Sequence, residues 1–182
     1  MITSPLTITV VNGLDHDTFT AALSGLFEGP PWIVSAAWQA RPFASPDTLH
    51  RALCAVMQAA PAAQQVALLR AHPDLVGRAA RQGTLSPAST GEQAAAGLDR
   101  LTSAEIATFN RLNQQYRARF GFPFVICARD NKKESILAGF AARLQHTREQ
   151  EITIALGEVA KICALRLRDL IRDDLSPAST PP

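Results

Sequence analysis

Three places in this 182-residue chain carry side chains that could do chemistry, each in a local sequence that controls their geometry. The first is "AHPDLVGRAA", residues 71–80, where His72 follows a strongly helical run and precedes Pro73 and Asp74. A proline ring crowds the backbone before it and disfavours helical geometry there, so His72 should project from a helix end. Imidazole titrates near neutral pH and can act as a general acid or base. The position suits a structural histidine equally, one that donates to the last carbonyls of its helix, where the dipole favours a cation. The second place is Ser89-Thr90-Gly91-Glu92-Gln93. Ser-x-x-Glu is a common helix opening, with serine and glutamate closing a capping box. A helix N-terminus also attracts anions and amides. Glu92 could then turn toward a ligand or His72, and Gln93 would add an amide able to read a urea or lactam edge. The third is Arg166. With Leu156 as the centre of the last apolar stripe, Arg166 falls at about −80°, between Val159 and Ile162, on the core-facing side. An arginine there snorkels, forms a structural ion pair, or grips a carboxylate with its planar fork.

The other histidines, His16, His50 and His146, have no second histidine at metal-ligand spacing, since no HxxxH or HxH pair occurs, so a metal site has weak support. No GxSxG, P-loop or GxGxxG is present either. The net charge is +2 without a basic block, which argues against nucleic-acid binding. Cys54, Cys127 and Cys163 are odd in number and lack CxxC spacing, so neither a disulfide framework nor a thiolate metal site is expected. Reduced, buried thiols in a cytosolic protein are the plain reading. The first residues, "MITSPLTITVVNGLDHD", make a poor signal peptide, and no apolar run approaches membrane-spanning length. The closing "SPASTPP" reads as a disordered tail and is not an SKL-type address.

Helices must position these residues. Hydrophobic residues make up 47% of the chain and charged residues 19%, as in a globular domain. Phe19, Leu23, Leu26 and Phe27 mark a first helical face, ended by Gly29-Pro30-Pro31. A short helix with Trp32 and Trp38 follows, then one opened by Ser45-Pro46 and carrying Leu49, Leu53, Val56 and Met57. Pro61 opens the run with Val66, Leu68 and Leu69 that ends at His72. Residues 77–90 read as a loop and a candidate lid. Thr102-Ser103-Ala104-Glu105 caps a helix with Ile106, Phe109, Leu112, Tyr116 and Phe120, which Gly121 stops. "FPFVICA", 122–128, is the one short apolar run between turns. A lone strand builds no sheet, so it is expected to be an extended buried connector. Ile136, Leu137, Phe140 and Leu144 mark the next helix. Thr147 and Gln150 cap the longest, with Ile152, Leu156, Val159, Cys163, Leu167 and Leu170. The expected fold is all-α: a single-domain helical bundle of about eight helices over residues 14–172, with an N-terminal extension, 1–13, and a tail, 173–182.

Several longer stretches occur together, in order. They are "FEGPPWI…RPF" at 27–43, "AHPDL" at 71–75, "S-x-x-EQ" at 89–93, "LN-x-x-Y-x-x-RFGFPFVICAR" at 112–129 and "E-x-x-x-A-x-x-EV-x-KI-x-x-x-RL" at 151–167. In these the chain resembles the 2-oxo-4-hydroxy-4-carboxy-5-ureidoimidazoline (OHCU) decarboxylases, from about residue 14 to about residue 171. The resemblance implies a cofactor-free carboxy-lyase, a homodimer, that forms (S)-allantoin at the end of urate degradation. It implies His72 as the catalytic acid/base and Glu92 as its partner. Pro73, Ser89, Gln93 and the backbone of Phe124, Val125, Ile126, Cys127 and Ala128 would line an anionic substrate, with Arg166 as the site arginine and no metal. The Thr180-Pro181-Pro182 ending, unlike the peroxisomal ending of some members, points to a cytoplasmic, bacterial-type protein. The alternatives are a non-catalytic helical module binding a purine-derived ligand, and a metal-dependent hydrolase of ureido compounds.

Overall fold

The computed structural model describes residues 6–77, 80 and 82–172. The expected tail, 173–182, and parts of the 1–13 extension and the 77–90 loop therefore lie outside the described residues. Nine α-helices occur among the described residues, with one two-residue strand near each end. The all-α expectation holds. The chain divides into two compact units, one of residues 1–59 with 163–182, the other of residues 60–162.

In the first unit, β1 (Leu6–Thr7) pairs in parallel with β2 (Ile171–Arg172), Leu6 opposite Ile171. This short pairing was not foreseen, since two residues carry no readable alternation. Helices α1 (Ile8–Gly13), α2 (His16–Leu23), α3 (Trp32–Ala37) and α4 (Pro46–Ala59) follow. Val11, Phe19, Leu23, Ile33, Leu49, Leu53 and Met57 form their core. The first apolar face breaks into α2 and a 3-10 turn, Ser24–Leu26, yet Leu26 and Phe27 are buried as its spacing required. Asn12 ties α1 to Phe43 by two hydrogen bonds of 2.8 Å, accepting from its amide and donating to its carbonyl. Arg41 donates to the Leu14 carbonyl at 2.6 Å and lies over Trp38, 3.9 Å from the ring centroid.

The second unit holds α5 (Ala62–Ala71), α6 (Pro87–Ala95), α7 (Ser103–Phe120), α8 (Lys133–Arg143) and most of α9 (Arg148–Leu170), whose last turns belong to the first unit. Both later capping boxes form. Thr102 and Glu105 close one on α7, and on α9 Thr147 and Gln150 exchange bonds of 2.8 and 3.2 Å. Gly121 ends α7 at φ 80°, a conformation only glycine adopts freely. Phe109, Tyr116, Phe120, Phe122, Phe124 and Phe140 make an aromatic core. Within it the Phe124 and Phe140 rings stack 3.8 Å apart. The buried stripe of α9 runs through Glu151, Ala155, Val159, Ile162 and Arg166, while Leu170, expected on the stripe, is 38% exposed. Residues 122–127 are a connector without regular structure, followed by a 3-10 turn at Ala128–Asp130.

Candidate active site

His72 is the C-cap of α5, with extended backbone at φ −71° and ψ 140°, as Pro73 requires. Its Nδ1 donates to the Leu68 carbonyl at 2.9 Å, and the residue is 7% exposed. A carbonyl only accepts, so Nδ1 bears the hydrogen and Nε2 is the nitrogen that can exchange a proton. The bond to a late helix carbonyl is the one a structural histidine would make. It also fixes the ring plane, which a proton-transfer group needs as much.

The chain after His72 is pinned from three sides. Asp74 accepts from Arg117 Nε at 2.8 Å. The Leu75 carbonyl accepts from Asn113 Nδ2 at 2.8 Å. The Val76 amide donates to Gln93 Oε1 at 3.0 Å. Val76 has φ 55°, the left-handed region, where a β-branched residue is strained by about 1–3 kcal/mol. At Gly77 an added Cβ would lie 2.7 Å from the Asp74 Cβ, so only glycine lets the turn close.

The structure corrects the reading of Ser89 and Glu92 as a capping box. The N-cap is Ser86, whose Oγ accepts from the Ser89 amide at 3.2 Å, and Pro87 takes the first helical position. Pro87's fixed φ and missing N–H suit that place, so the helix begins earlier than the Ser-x-x-Glu pattern suggested. Ser89 lies in the first turn with its amide already engaged by Ser86. Ser89 and Gln93, one helical turn apart on one face, are 5% and 7% exposed, and Glu92, at the side of that face, is half-buried. Gln93 serves the backbone with its oxygen, and its Nε2 is a donor only. A cavity of about 260 Å³ opens beside it, lined by Val76, Thr90, Gln93, Leu98 and Asp99 among others. His72, Ser89 and Glu92 do not line it.

The connector reaches the same unit from the other direction. Helix α6 packs against the Ala128–Asp130 turn, and Lys132 Nζ donates to the Ala95 carbonyl at the end of α6 at 2.8 Å. Beneath the connector lies a charged network that the sequence reading missed. Glu151, 0% exposed, accepts from Arg143 Nε at 2.9 Å and from the Tyr116 hydroxyl, and pairs with His146 Nδ1 at 2.6 Å. Burial pushes the Tyr116 hydroxyl well above the usual phenol value. Arg143 also donates to the Val125 carbonyl at 2.8 Å, and its guanidinium sits 4.4 Å from the Phe124 ring centroid. On the other flank, Glu158 Oε2 accepts from the Cys127 amide at 2.8 Å. Burial pushes the Cys127 thiol up to about 11, which leaves it an unreactive thiol at neutral pH. A readable signal existed: Asn113, Arg143 and Glu151 each interrupt an apolar helical stripe with a polar side chain.

The second unit thus holds His72, Pro73, Ser89, Glu92, Gln93 and Phe124–Ala128. Arg166 lies in the first unit, 8% exposed, where its fork meets the Gly25 carbonyl at 3.2 Å and Glu28 Oε1 at 3.0 Å. The core-facing placement holds, and the carboxylate it grips here is Glu28. Among the described residues, no group of three or more His, Cys, Asp or Glu side chains could hold a metal ion. No single helix among them is long and apolar enough to cross a membrane.

The family model described as OHCU decarboxylase matches residues 12–168. A 2-oxo-4-hydroxy-4-carboxy-5-ureidoimidazoline decarboxylase of Amia calva is 44% identical over 89% of this chain and 93% of its own length. The crystal structure of an (S)-allantoin synthase matches 92% of this chain with a TM-score of 0.75 and 30% identity, and the chain spans 54% of that larger protein. The crystal structure of an OHCU decarboxylase in the presence of (S)-allantoin matches in fold, with a TM-score of 0.66 at 19% identity. The match across nearly the whole chain places it: this protein belongs to the OHCU decarboxylase family.

Proposed function

We infer that this chain decarboxylates OHCU to (S)-allantoin and CO2, the last step of urate degradation. The observation that carries the reading is membership of that family in a chain whose His72 is locked at a helix end with Nε2 as its proton-exchanging nitrogen. The substrate is a small anionic heterocycle whose carboxylate sits on a carbon bearing a hydroxyl. When CO2 leaves, the electron pair passes into the adjacent ring C=N, so the substrate carries its own electron sink. We propose that no cofactor takes part. The protein's task is to hold the carboxylate out of the ring plane and to deliver a proton to one face. Orientation of this kind contributes about 7 kcal/mol at the favourable end.

In this reading Glu92 orients the hydroxyl and His72, and His72 Nε2 carries the proton. Pro73 and Ser89 line the substrate, Gln93 Nε2 donates to it, and the main chain of Phe124–Ala128 reads its ureido and lactam edges. Arg166 is assigned to a substrate carboxylate through its residue type and its place in the "K-I-x-x-x-R-L" stretch. The acting domain is assigned to residues 14–172, the protein to a homodimer in the cytoplasm.

The test generates OHCU in situ from urate and follows product by circular dichroism, with chelator present. Wild type should give a fast (S)-allantoin signal. His72→Ala should lose about 10²–10⁴-fold in rate, the usual contribution of a general acid or base. A wild-type trace equal to the enzyme-free control would move the assignment to a binding module. Activity lost only on adding chelator would move it to a metal-dependent enzyme.

A further inference from the structure

We propose that Glu158 and Arg143 are positioning residues that hold the Ile126 main chain as a donor–acceptor pair for an amide or urea edge of the substrate. The proposal rests on the decarboxylase reading of this site. From Phe122 to Ala128 every residue is buried except Ile126, which is half-buried. Among the described residues, no hydrogen bond engages the Ile126 amide or carbonyl, whereas its neighbours are held on both sides. Arg143 Nη1 donates to the Val125 carbonyl at 2.8 Å, and Glu158 Oε2 accepts from the Cys127 amide at 2.8 Å.

The geometry of the peptide unit links these facts. A trans peptide is planar, with its C=O and N–H pointing in opposite directions. The plane that Arg143 grips by the Val125 oxygen ends in the Ile126 N–H. The plane that Glu158 grips by the Cys127 N–H ends in the Ile126 C=O. Each anchor therefore fixes one peptide plane by its far end and aims one polar group of Ile126. Together they present a donor and an acceptor side by side, which complements the N–H and C=O of a lactam or ureido edge. Each anchor is itself braced, Arg143 by buried Glu151 at 2.9 Å and Glu158 by Lys161 Nζ at 2.7 Å. The connector's last residues are tied too, for the Cys127 carbonyl accepts from Asn131 Nδ2 at 2.9 Å.

The experiment compares Glu158→Ala, Glu158→Gln and Lys161→Met in the full chain. Each is followed by steady-state decarboxylation and by the Ile126 amide resonance during titration with (S)-allantoin. Glu158→Ala removes the acceptor for Cys127, and kcat/KM should fall by about 10²-fold, the cost of misplacing a binding group by about 1 Å. Most of that loss should appear in KM, and the Ile126 amide shift on titration should shrink. Glu158→Gln keeps an acceptor oxygen and should recover most of the loss. Lys161→Met removes only the brace and should stay within about threefold, as for an exposed ion pair. An unchanged KM in Glu158→Ala, or a loss as deep in Glu158→Gln as in Glu158→Ala, overturns the proposal. If wild type itself forms no (S)-allantoin, the decarboxylase reading fails instead.

Discussion

Two arginines of nearly equal burial work in different parts of this molecule. Arg143, 7% exposed, meets Glu151, which is 0% exposed, and also reaches Tyr116 and the Val125 carbonyl. Arg166, 8% exposed, meets Glu28, whose side chain is 18% exposed, and the Gly25 carbonyl. The first is locked into a network around a fully buried carboxylate and buttresses backbone. The second holds a carboxylate that water still reaches. A buried ion pair is costly to break, because removing one partner strands a desolvated charge. A pair that water partly reaches is cheaper to break, because water takes over some of the lost partner's role. So the same residue type at nearly the same exposure can meet a fully buried carboxylate in one place and a partly exposed one in another.

Breaking the pairs one at a time gives the largest effect. Arg143→Met should lower stability by about 3–5 kcal/mol in urea unfolding, because buried Glu151 loses its arginine and keeps only Tyr116 and His146 as partners. Glu28→Gln should cost less than about 2 kcal/mol. Equal losses would mean that the two arginines do not differ in this way. Next in size is Arg166→Lys, which keeps the charge but not the planar fork. It should raise KM about tenfold, the scale of one lost bidentate contact, with little change in the urea midpoint. An unchanged KM would confine Arg166 to its structural contacts with Gly25 and Glu28.

The smallest effect serves as a surface control. The Lys133 ammonium, 2.6 Å from Glu105, holds that carboxyl down at about 2, below its ordinary 4.5. A depressed carboxyl contributes stability above its unfolded value and loses it on protonation. Wild type should therefore lose stability as pH falls from about 4.5 toward about 2, and Lys133→Met should flatten that part of the curve. A curve of unchanged slope in Lys133→Met would remove this pair from the acid response.

Much of this was legible beforehand. The capping pairs at Thr102 and Thr147, the stop at Gly121 and the placement of His72 by Pro73 are local effects, each decided within a few residues. The connector at 122–127 was readable because an apolar run without a partner strand has no sheet to join. The start of α6 was misread because two serines compete for the cap. The choice of Ser86 follows from Pro87, whose ring fits the first helical position. Asn113, Arg143, Glu151 and Glu158 were passed over because their partners lie far along the chain, and a polar residue on an apolar stripe does not name its partner.

The sequence by itself determined the helical class, most helix ends and the family. Those depend on periodicity, capping and residue type, which act over a turn or two of chain. Tertiary structure alone decided that Gln93 braces the strained Val76 and that Arg166 grips Glu28. It also decided which peptide planes beside Ile126 are gripped by Arg143 and Glu158. Those are choices between side chains tens of residues apart. Only the packed chain makes them, because a buried polar group must find its partner wherever the fold brings one.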